Sequence, residues 1–510
     1  MRAFLSVYDK TGVVDLATGL TEAGWELLSS GGTAHVLREA GVEVTDTETY
    51  TGYPAILGHR VMTLHPKIHG GILADPTDPD HRADMAAHDI TMIDLVVANL
   101  YPFGSDPTDF AHGGSAGAMD LVDIGGPAMI RAAAKNHAHV AVVVDPVDYP
   151  EVLDEARAGA IGDGLRRTLA RKAFATTAAY DAAIVEWLDT DAGGDELPAT
   201  YHLALEKVDT NRYGENPHQR GARYRRIGAT SWLDDITQHS GLALSYLNLF
   251  DTDAAWRCVH DLGDDPAVVV VKHANPCGVA VGGELAEVYQ RAYDCDSRSA
   301  FGGIVSFNRT VDAATVERMV AAAQADVVIA PGYDDGVVDA LIGRRKNTRI
   351  LTAPVPSSEP YELRQIGGGY LLQDAHSFVA GRDDWRVVTE RRPTDAEWAD
   401  VALAWRLVGW VKSNAIVLVK DRTAWGIGAG QQNRVESGLL AATKADGRAV
   451  GGACASDAFY PFADGIEAAA SSGVAVVIQP GGAMRDDENI AKANELGLAM
   501  VFTGERHFLH

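Results

Sequence analysis

Thiols are scarce in this chain. The four cysteines, Cys258, Cys277, Cys295 and Cys454, include no C-x-x-C pair, so neither a zinc knuckle nor a redox dithiol is indicated. So few thiols in 510 residues suit a reducing compartment. Long apolar runs are missing too, and nothing approaches the ~18 residues of a membrane span. The apolar part of Met1–Lys10 is too short for a signal h-region and reads as a first buried strand. A soluble, cytoplasmic protein with no membrane partner is the expectation. Basic residues are outnumbered, 44 Lys and Arg against 70 Asp and Glu, for a formal net charge of −26. That field repels a phosphate backbone and argues against nucleic acid. A small anionic substrate needs local cations and backbone N–H groups to overcome it. There is no low-complexity tract and no short-period repeat.

What is present is an α/β pattern. Apolar residues make up 46% of the chain, enough for several cores, and the length suits about three or four domains. Strand candidates Ala3–Tyr8, Trp25–Ser29, Leu95–Asn99 and Val140–Val144 alternate with helical stretches at Val13–Ala23 and Ala34–Ala40. That rhythm predicts a mostly parallel, doubly wound sheet with helices on both faces. Pro150 to about Leu188 reads as helical, and Thr190–Thr200, with Gly193, Gly194 and Pro198, as a linker. Later strand candidates are Ala267–Val271, Asp326–Ala330, Ala415–Val419 and Val474–Ile478. A Pro/Ser-rich seam falls at Ala353–Pro360. The expected division is 1–145, a helical segment and linker at 146–200, then 201–355 and 356–510.

Ser30-Gly31-Gly32-Thr33 and Ser6–Gly12 both sit at strand–loop–helix junctions. Glycines let the backbone approach an anion, and helix N-termini offer N–H groups to it. Each turn alone reads equally well as a helix cap. Further on come Arg60-Val-Met-Thr-Leu-His-Pro66, Asn99-Leu-Tyr-Pro-Phe103, Asp123-Ile-Gly-Gly126 and Arg131-Ala-Ala-Ala-Lys-Asn-His137. Singly, Tyr101 reads as a surface aromatic and Lys135 as a solvated helix residue.

Together, and in this order, these motifs resemble the inosine monophosphate cyclohydrolase half of the bifunctional purine biosynthesis family, which has a methylglyoxal-synthase-like fold. The resemblance implies that Ser6, Lys10, Thr11, Gly12, Ser30, Gly31, Gly32 and Thr33 hold the nucleotide. Arg60, Thr63, Asn99, Asp123, Ile124, Gly125 and Gly126 join them. It implies Lys135 as proton donor and acceptor, with Asp123 and Tyr101 alongside. The implied reaction is intramolecular, so holding the reactive conformer supplies much of the rate. Proton transfer and oxyanion stabilisation remain for a carboxylate, a phenol and an ammonium, without a metal. One position departs from the family: Met62 stands where lysine is usual, and a thioether carries no charge and donates no hydrogen bond. If that lysine only helps to bind the nucleotide, Lys67 or another cation can compensate; if it is needed for chemistry, the alternative is a weak cyclohydrolase.

The second informative stretch is Val268-Val-Val-Val-Lys-His-Ala-Asn-Pro-Cys-Gly278. Lys272 and His273 fall at the carboxyl end of a buried strand, where open α/β sheets place ligands. An ammonium beside an imidazole favours the neutral, basic ring. Other segments are Arg212–Gln219, Ser299–Gly303, Asp326–Gly332, Lys412–Ala415, Gly426–Arg434 and Ser456–Phe462. Gly426–Gly430 lacks the G-x-G-x-x-G spacing of a dinucleotide site. These segments are similar to the aminoimidazole carboxamide ribonucleotide formyltransferase half of the same family, from about Tyr201 to the terminal Arg506–His510. That half consists of two cytidine-deaminase-like subdomains, and its sites form between the subunits of a homodimer. The resemblance implies His273 as general base and Lys272 as transition-state stabiliser. It places Arg212, Tyr213, His273, Gly302, Asp326, Asn414 and Arg434 at the nucleotide, and Asn414, Phe459, Asp464 and Arg506 at the co-substrate 10-formyltetrahydrofolate. Zinc deaminases need P-C-x-x-C, but Pro276-Cys277 is followed by Gly278-Val279-Ala280, so no catalytic metal is expected.

Overall fold

The computed structural model describes residues 1–58, 60–101, 103, 119, 121–191, 197–357 and 359–510, without the side chains of Thr190 and Asp191. The expected linker turn at Gly193-Gly194, Pro102 of the Asn99–Phe103 motif and Ser358 of the expected seam lie outside the described residues. Two compact units result: Met1–Glu206 with Arg226–Ala229, and Lys207–Arg225 with Thr230–His510. Among the described residues no helix is long and apolar enough to cross a membrane.

In the first unit, strands β1 (Arg2–Ser6), β2 (Glu26–Ser29), β3 (Thr45–Asp46), β4 (Leu95–Ala98) and β5 (Ala141–Val143) pair in parallel in the order β3-β2-β1-β4-β5. Their apolar runs are unbroken because both faces are covered. Ala3, Leu5, Leu27, Leu95 and Val97 point into one core cluster, and Phe4, Leu28, Val96 and Ala98 into the other. Burying each large side chain contributes roughly 2 kcal/mol before entropy is counted. The stretch read as helical forms two helices, Tyr149–Arg157 and Asp163–Asp191. Gly159, at φ 116°, ends the first.

Beyond β6 (Leu205–Asn211) and β7 (Gly221–Arg226), the second unit is organised by one large sheet. Its strands are β8 (Thr237–Ser240), β9 (Ala267–Lys272), β10 (Asn275–Val281), β11 (Ile304–Phe307), β12 (Val327–Ala330) and β13 (Arg349–Thr352). After a separate hairpin of β14 (Tyr361–Ile366) and β15 (Gly369–Asp374) come β16 (Arg386–Val387), β17 (Ile416–Lys420), β18 (Thr423–Gly428), β19 (Ala453–Ser456), β20 (Val476–Gln479) and β21 (Ala499–Phe502). Among the described residues their order is β16-β21-β20-β19-β17-β18-β10-β9-β11-β12-β13-β8.

This sheet is built twice. Helix Tyr246–Asp261, hairpin β9/β10, helix Leu285–Cys295 and then β11, β12 and β13 form one copy. Helix Asp395–Val408, hairpin β17/β18, helix Arg434–Ala445 and then β19, β20 and β21 form the other. The copies meet where β10 runs antiparallel to β18, with Ala280 opposite Thr423. Local details repeat. A Cβ on Gly278 would fall 2.0 Å from Ala292 O, and one on Gly426 would fall 2.1 Å from Ala441 O. Trp256 and Trp405, one from each leading helix, are both fully buried in the same core cluster. Sequence reading found no repeat because the copies share geometry while their residue identities have diverged.

Candidate active sites

In the first unit, the carboxyl ends of β1, β2 and β4 bring the glycine-rich loops to one rim. Ser6 and Ser30 place their hydroxyl oxygens 3.2 Å apart. Ser30 precedes helix Gly31–Glu39 without capping it through its side chain, and Gly12 precedes helix Val13–Glu22 with no side chain to offer. Two helix N-termini therefore present N–H groups with no side-chain cap, the arrangement that receives phosphate. Thr33 clamps the β1 end, accepting from Val7 N at 3.1 Å and donating to Val7 O at 3.0 Å. Asn99 Oδ1 accepts from Asp9 N at 3.0 Å, and Asn99 Nδ2 donates to Asp9 O at 3.1 Å. Lys10 Nζ donates to the Val7 and Tyr8 carbonyls, and burial lowers its pKa. Thr11 donates its hydroxyl and amide to Asp9, which lowers the carboxyl's pKa.

Asp123 lies just before helix Gly125–Lys135 and accepts from Gly126 N at 2.9 Å. Burial raises its pKa, and the Gly126 and Gly125 amides pull the other way. It is thus a carboxyl able to exchange a proton nearer neutrality than an exposed one. Buried Thr63 touches the same turn, because a Cβ on Gly125 would fall 2.5 Å from its Oγ1. Ile124 and Arg60 are exposed. Tyr101 is exposed and lies 4.7 Å, ring to ring, from Tyr8. Sequence reading missed Tyr180, whose hydroxyl accepts from Asp123 N at 2.8 Å.

Lys135 ends the helix that Asp123 precedes. Lys67 places its ammonium 2.8 Å from Asp89 Oδ2. Met62 itself reaches the Ser30–Thr33 turn, its Cε 3.7 Å from where a Cβ on Gly31 would sit.

In the second unit, β9 ends at Lys272 and β10 begins at Asn275, leaving His273 and Ala274 as a two-residue turn with φ 55° at both. Such turns prefer Asn-Gly, and a left-handed residue with a Cβ costs on the order of 1 kcal/mol. His273 is exposed at this rim. Lys272 Nζ donates to Phe301 O at 3.2 Å and Gly302 O at 3.0 Å. A Cβ on Gly302, which has φ 67°, would lie 3.1 Å from that ammonium and 3.6 Å from Asp326 Oδ1. Lys272, Gly302 and Asp326 are therefore neighbours.

Asn275 joins this group to the other copy, donating to His273 O at 3.3 Å and accepting from Lys412 N at 3.1 Å. Beyond Lys412, Asn414 is held to Gln431 O through its amide nitrogen at 3.1 Å and its side chain at 2.9 Å. Arg434 pairs with fully buried Asp457 at 2.9 Å, and Ser413 Oγ donates to the same carboxylate. The tail returns here: Leu509 O accepts from Ser413 N at 2.9 Å, and His510 O from Lys412 Nζ at 2.7 Å. Phe508 lies between two guanidiniums, 4.4 Å from Arg506 and 5.5 Å from Arg434. Phe459 is partly exposed, and Asp464 opens helix Asp464–Ser471. Arg212 and Tyr213 follow β6, the guanidinium 5.8 Å from the neighbouring ring. Asp457 and Phe508 lay inside motifs already singled out, but only the fold gives them partners. Among the described residues no group of three or more His, Cys, Asp or Glu is arranged to hold a metal.

Comparison with known proteins matches residues 133–444 to the family model described as AICARFT/IMPCHase bienzyme, and residues 12–127 to the MGS-like domain. A bifunctional purine biosynthesis protein PurH from Dinoroseobacter shibae is 48% identical, with 100% of this chain and 98% of that one covered. The chain belongs to the AICARFT/IMPCHase bienzyme family. Another family relative, a PurH from Cereibacter sphaeroides, is 49% identical over 100% of this chain and 98% of its own. A solved chain described as the crystal structure of ForH covers 37% of this chain and 98% of its own, at 40% identity and a TM-score of 0.34. As a family member, the chain is a bifunctional enzyme of purine biosynthesis with formyltransferase and IMP cyclohydrolase activities. Its formyltransferase half takes a folate-type one-carbon donor.

Proposed function

We propose that the second unit transfers formyl from 10-formyltetrahydrofolate to aminoimidazole carboxamide ribonucleotide, and that the first unit closes the product to inosine monophosphate. The substrate amine is conjugated with its carboxamide and is a poor nucleophile. His273 takes its proton as it attacks the formyl carbon. Lys272, fixed on the Phe301 and Gly302 carbonyls, stabilises the oxyanion that develops. Asn414, Arg434, Asp326 and Gly302 position the nucleotide, with Arg212 and Tyr213. Phe459, Asp464 and Arg506 serve the folate, whose flat ring suits an aromatic wall and whose acidic tail suits a guanidinium.

In the first unit, the Ser6–Gly12 and Ser30–Thr33 loops hold the phosphate. Asp123 carries the proton between the attacking amide and the leaving water, with Tyr101 alongside. Lys135 serves beside them as proton donor and acceptor. The proposed division is 1–145 for ring closure, a helical segment and linker at 146–200, and 201–355 and 356–510 for formyl transfer. A cytoplasmic homodimer belongs to the same reading.

The observation that carries it is the His273–Ala274 turn, which presents an imidazole at the strand end where Lys272, Gly302 and Asp326 converge. His273→Ala tests it: formyl transfer falls by about 100-fold or more, and a wild-type rate sinks the assignment. A second reading, formyl transfer with weak ring closure, is favoured by Met62 at the phosphate loop. Formylated nucleotide supplied directly, with inosine monophosphate followed by absorbance, separates the two.

A further inference from the structure

Asp251 lies on helix Tyr246–Asp261, and the chemistry proposed above gives it no task. Its Oδ1 accepts from Ala274 N at 2.8 Å, and the His273 amide also bonds to the carboxylate. The charged and titratable groups facing it are His273 and Lys272, and burial raises its pKa against their pull. The turn it grips has both central residues in the left-handed region, and neither is glycine or asparagine. Nothing in the preferences of His or Ala maintains that turn, so an outside partner must hold it.

The second copy of the fold repeats the device. Asp400, buried on helix Asp395–Val408, accepts from Arg422 N at 2.7 Å and from Asp421 N at 3.2 Å. Asp421 and Arg422 form the β17/β18 turn, with φ 50° and 56°. Lys420 precedes that turn as Lys272 precedes the other, its Nζ 3.5 Å from Gly451 O. The surroundings differ where chemistry would occur. Asp421 stands in place of His273. Ala475, which donates to Gly452 O at 2.8 Å, stands in place of Asp326, which donates to Gly303 O at 2.8 Å. One copy keeps clamp, lysine and histidine; the other keeps clamp and lysine without the histidine.

We infer that Asp251 is the positioning residue of the formyltransferase, its carboxylate holding both amides of the turn so that the His273 imidazole is aimed at the nucleotide amine. It acts through the backbone and touches no substrate. This rests on the reading of His273 as base. Asp400 does the same mechanical work at a turn with no base on it, and supplies an internal control.

The test uses the full chain with Asp251→Ala, Asp251→Asn, Asp400→Ala and His273→Ala. Steady-state formyl transfer is measured with both substrates varied, beside the thermal midpoint. Asp251→Ala lowers kcat about 100-fold, as expected for a displaced catalytic group, with KM for the aminoimidazole nucleotide within about twofold. Asp251→Asn, keeping one acceptor oxygen, falls between this variant and wild type. Asp400→Ala lowers the midpoint as Asp251→Ala does but leaves kcat within about twofold. If Asp251→Ala does not fold, the Asp251→Asn kcat decides. A wild-type kcat in the deciding variant overturns the inference, and so does a kcat loss in Asp400→Ala equal to that in Asp251→Ala. A fully active His273→Ala sinks the base assignment instead. An inactive His273→Ala beside a fully active Asp251 variant removes this inference alone.

Discussion

Met62 lies against the Gly31 turn proposed to meet the phosphate, and it brings neither charge nor a donor. The ammonium at the same rim is Lys10, held to the Val7 and Tyr8 carbonyls. Met62→Lys is expected to raise kcat/KM for ring closure about tenfold, the worth of one charge-assisted hydrogen bond of about 1.5 kcal/mol. A loss of activity would instead show that the loop is fitted to the thioether. Asp123 and Lys135 give a second test at this scale. Asp123→Asn removes a half-buried carboxyl whose pKa burial raises and should lower the ring-closure kcat about 100-fold. Lys135→Ala, which removes the proposed proton donor and acceptor, should lower it by a similar factor. A wild-type kcat in either variant would remove that residue from the chemistry.

At the scale of elements, the C-terminal tail carries a pH dependence. His507 is buried against the rings of Phe378, Trp405 and His376, with its Nδ1 2.9 Å from His376 Nε2 and its Nε2 3.3 Å from Glu505. Burial pushes its pKa down to about 4, with Glu505 opposing the shift. The unfolded chain then binds the extra proton between about pH 6.5 and 4, so stability is complete above that window and is lost as pH falls through it. Melting midpoints should drop on acidification from pH 7 to 5, and His507→Gln should flatten the slope. An unchanged slope would place the titration elsewhere.

Sequence reading succeeded where an element end fixes its neighbours. Ser6, Ser30 and Asn99 all close apolar runs, so a parallel sheet had to bring them to one rim. Lys272 and His273 were legible for the same reason. It was blind where the partner comes from a distant helix: the Tyr180 hydroxyl that accepts from Asp123 N carries no motif. Asp251 and Asp400 gave no signal, because a carboxylate that serves only backbone amides has no motif of its own.

The whole molecule should show two separable losses. His273→Ala abolishes formyl transfer while supplied formylated nucleotide still closes to inosine monophosphate. Asp123→Asn does the reverse and lets the formylated nucleotide accumulate, which chromatography of the reaction mixture reads directly. Loss of both activities in either single variant would mean the sites are not chemically independent.

The meeting of β10 with β18 carries a consequence of its own. Ala280 faces Thr423 across it, and Trp256 and Trp405 share the core beneath. A gene cut near residue 355 would yield two proteins, each with a raw strand border and half an oily interior open to water. Both would tend to clump. Inheritance of the duplicated halves as a single reading frame is therefore enforced by solubility as well as by catalysis.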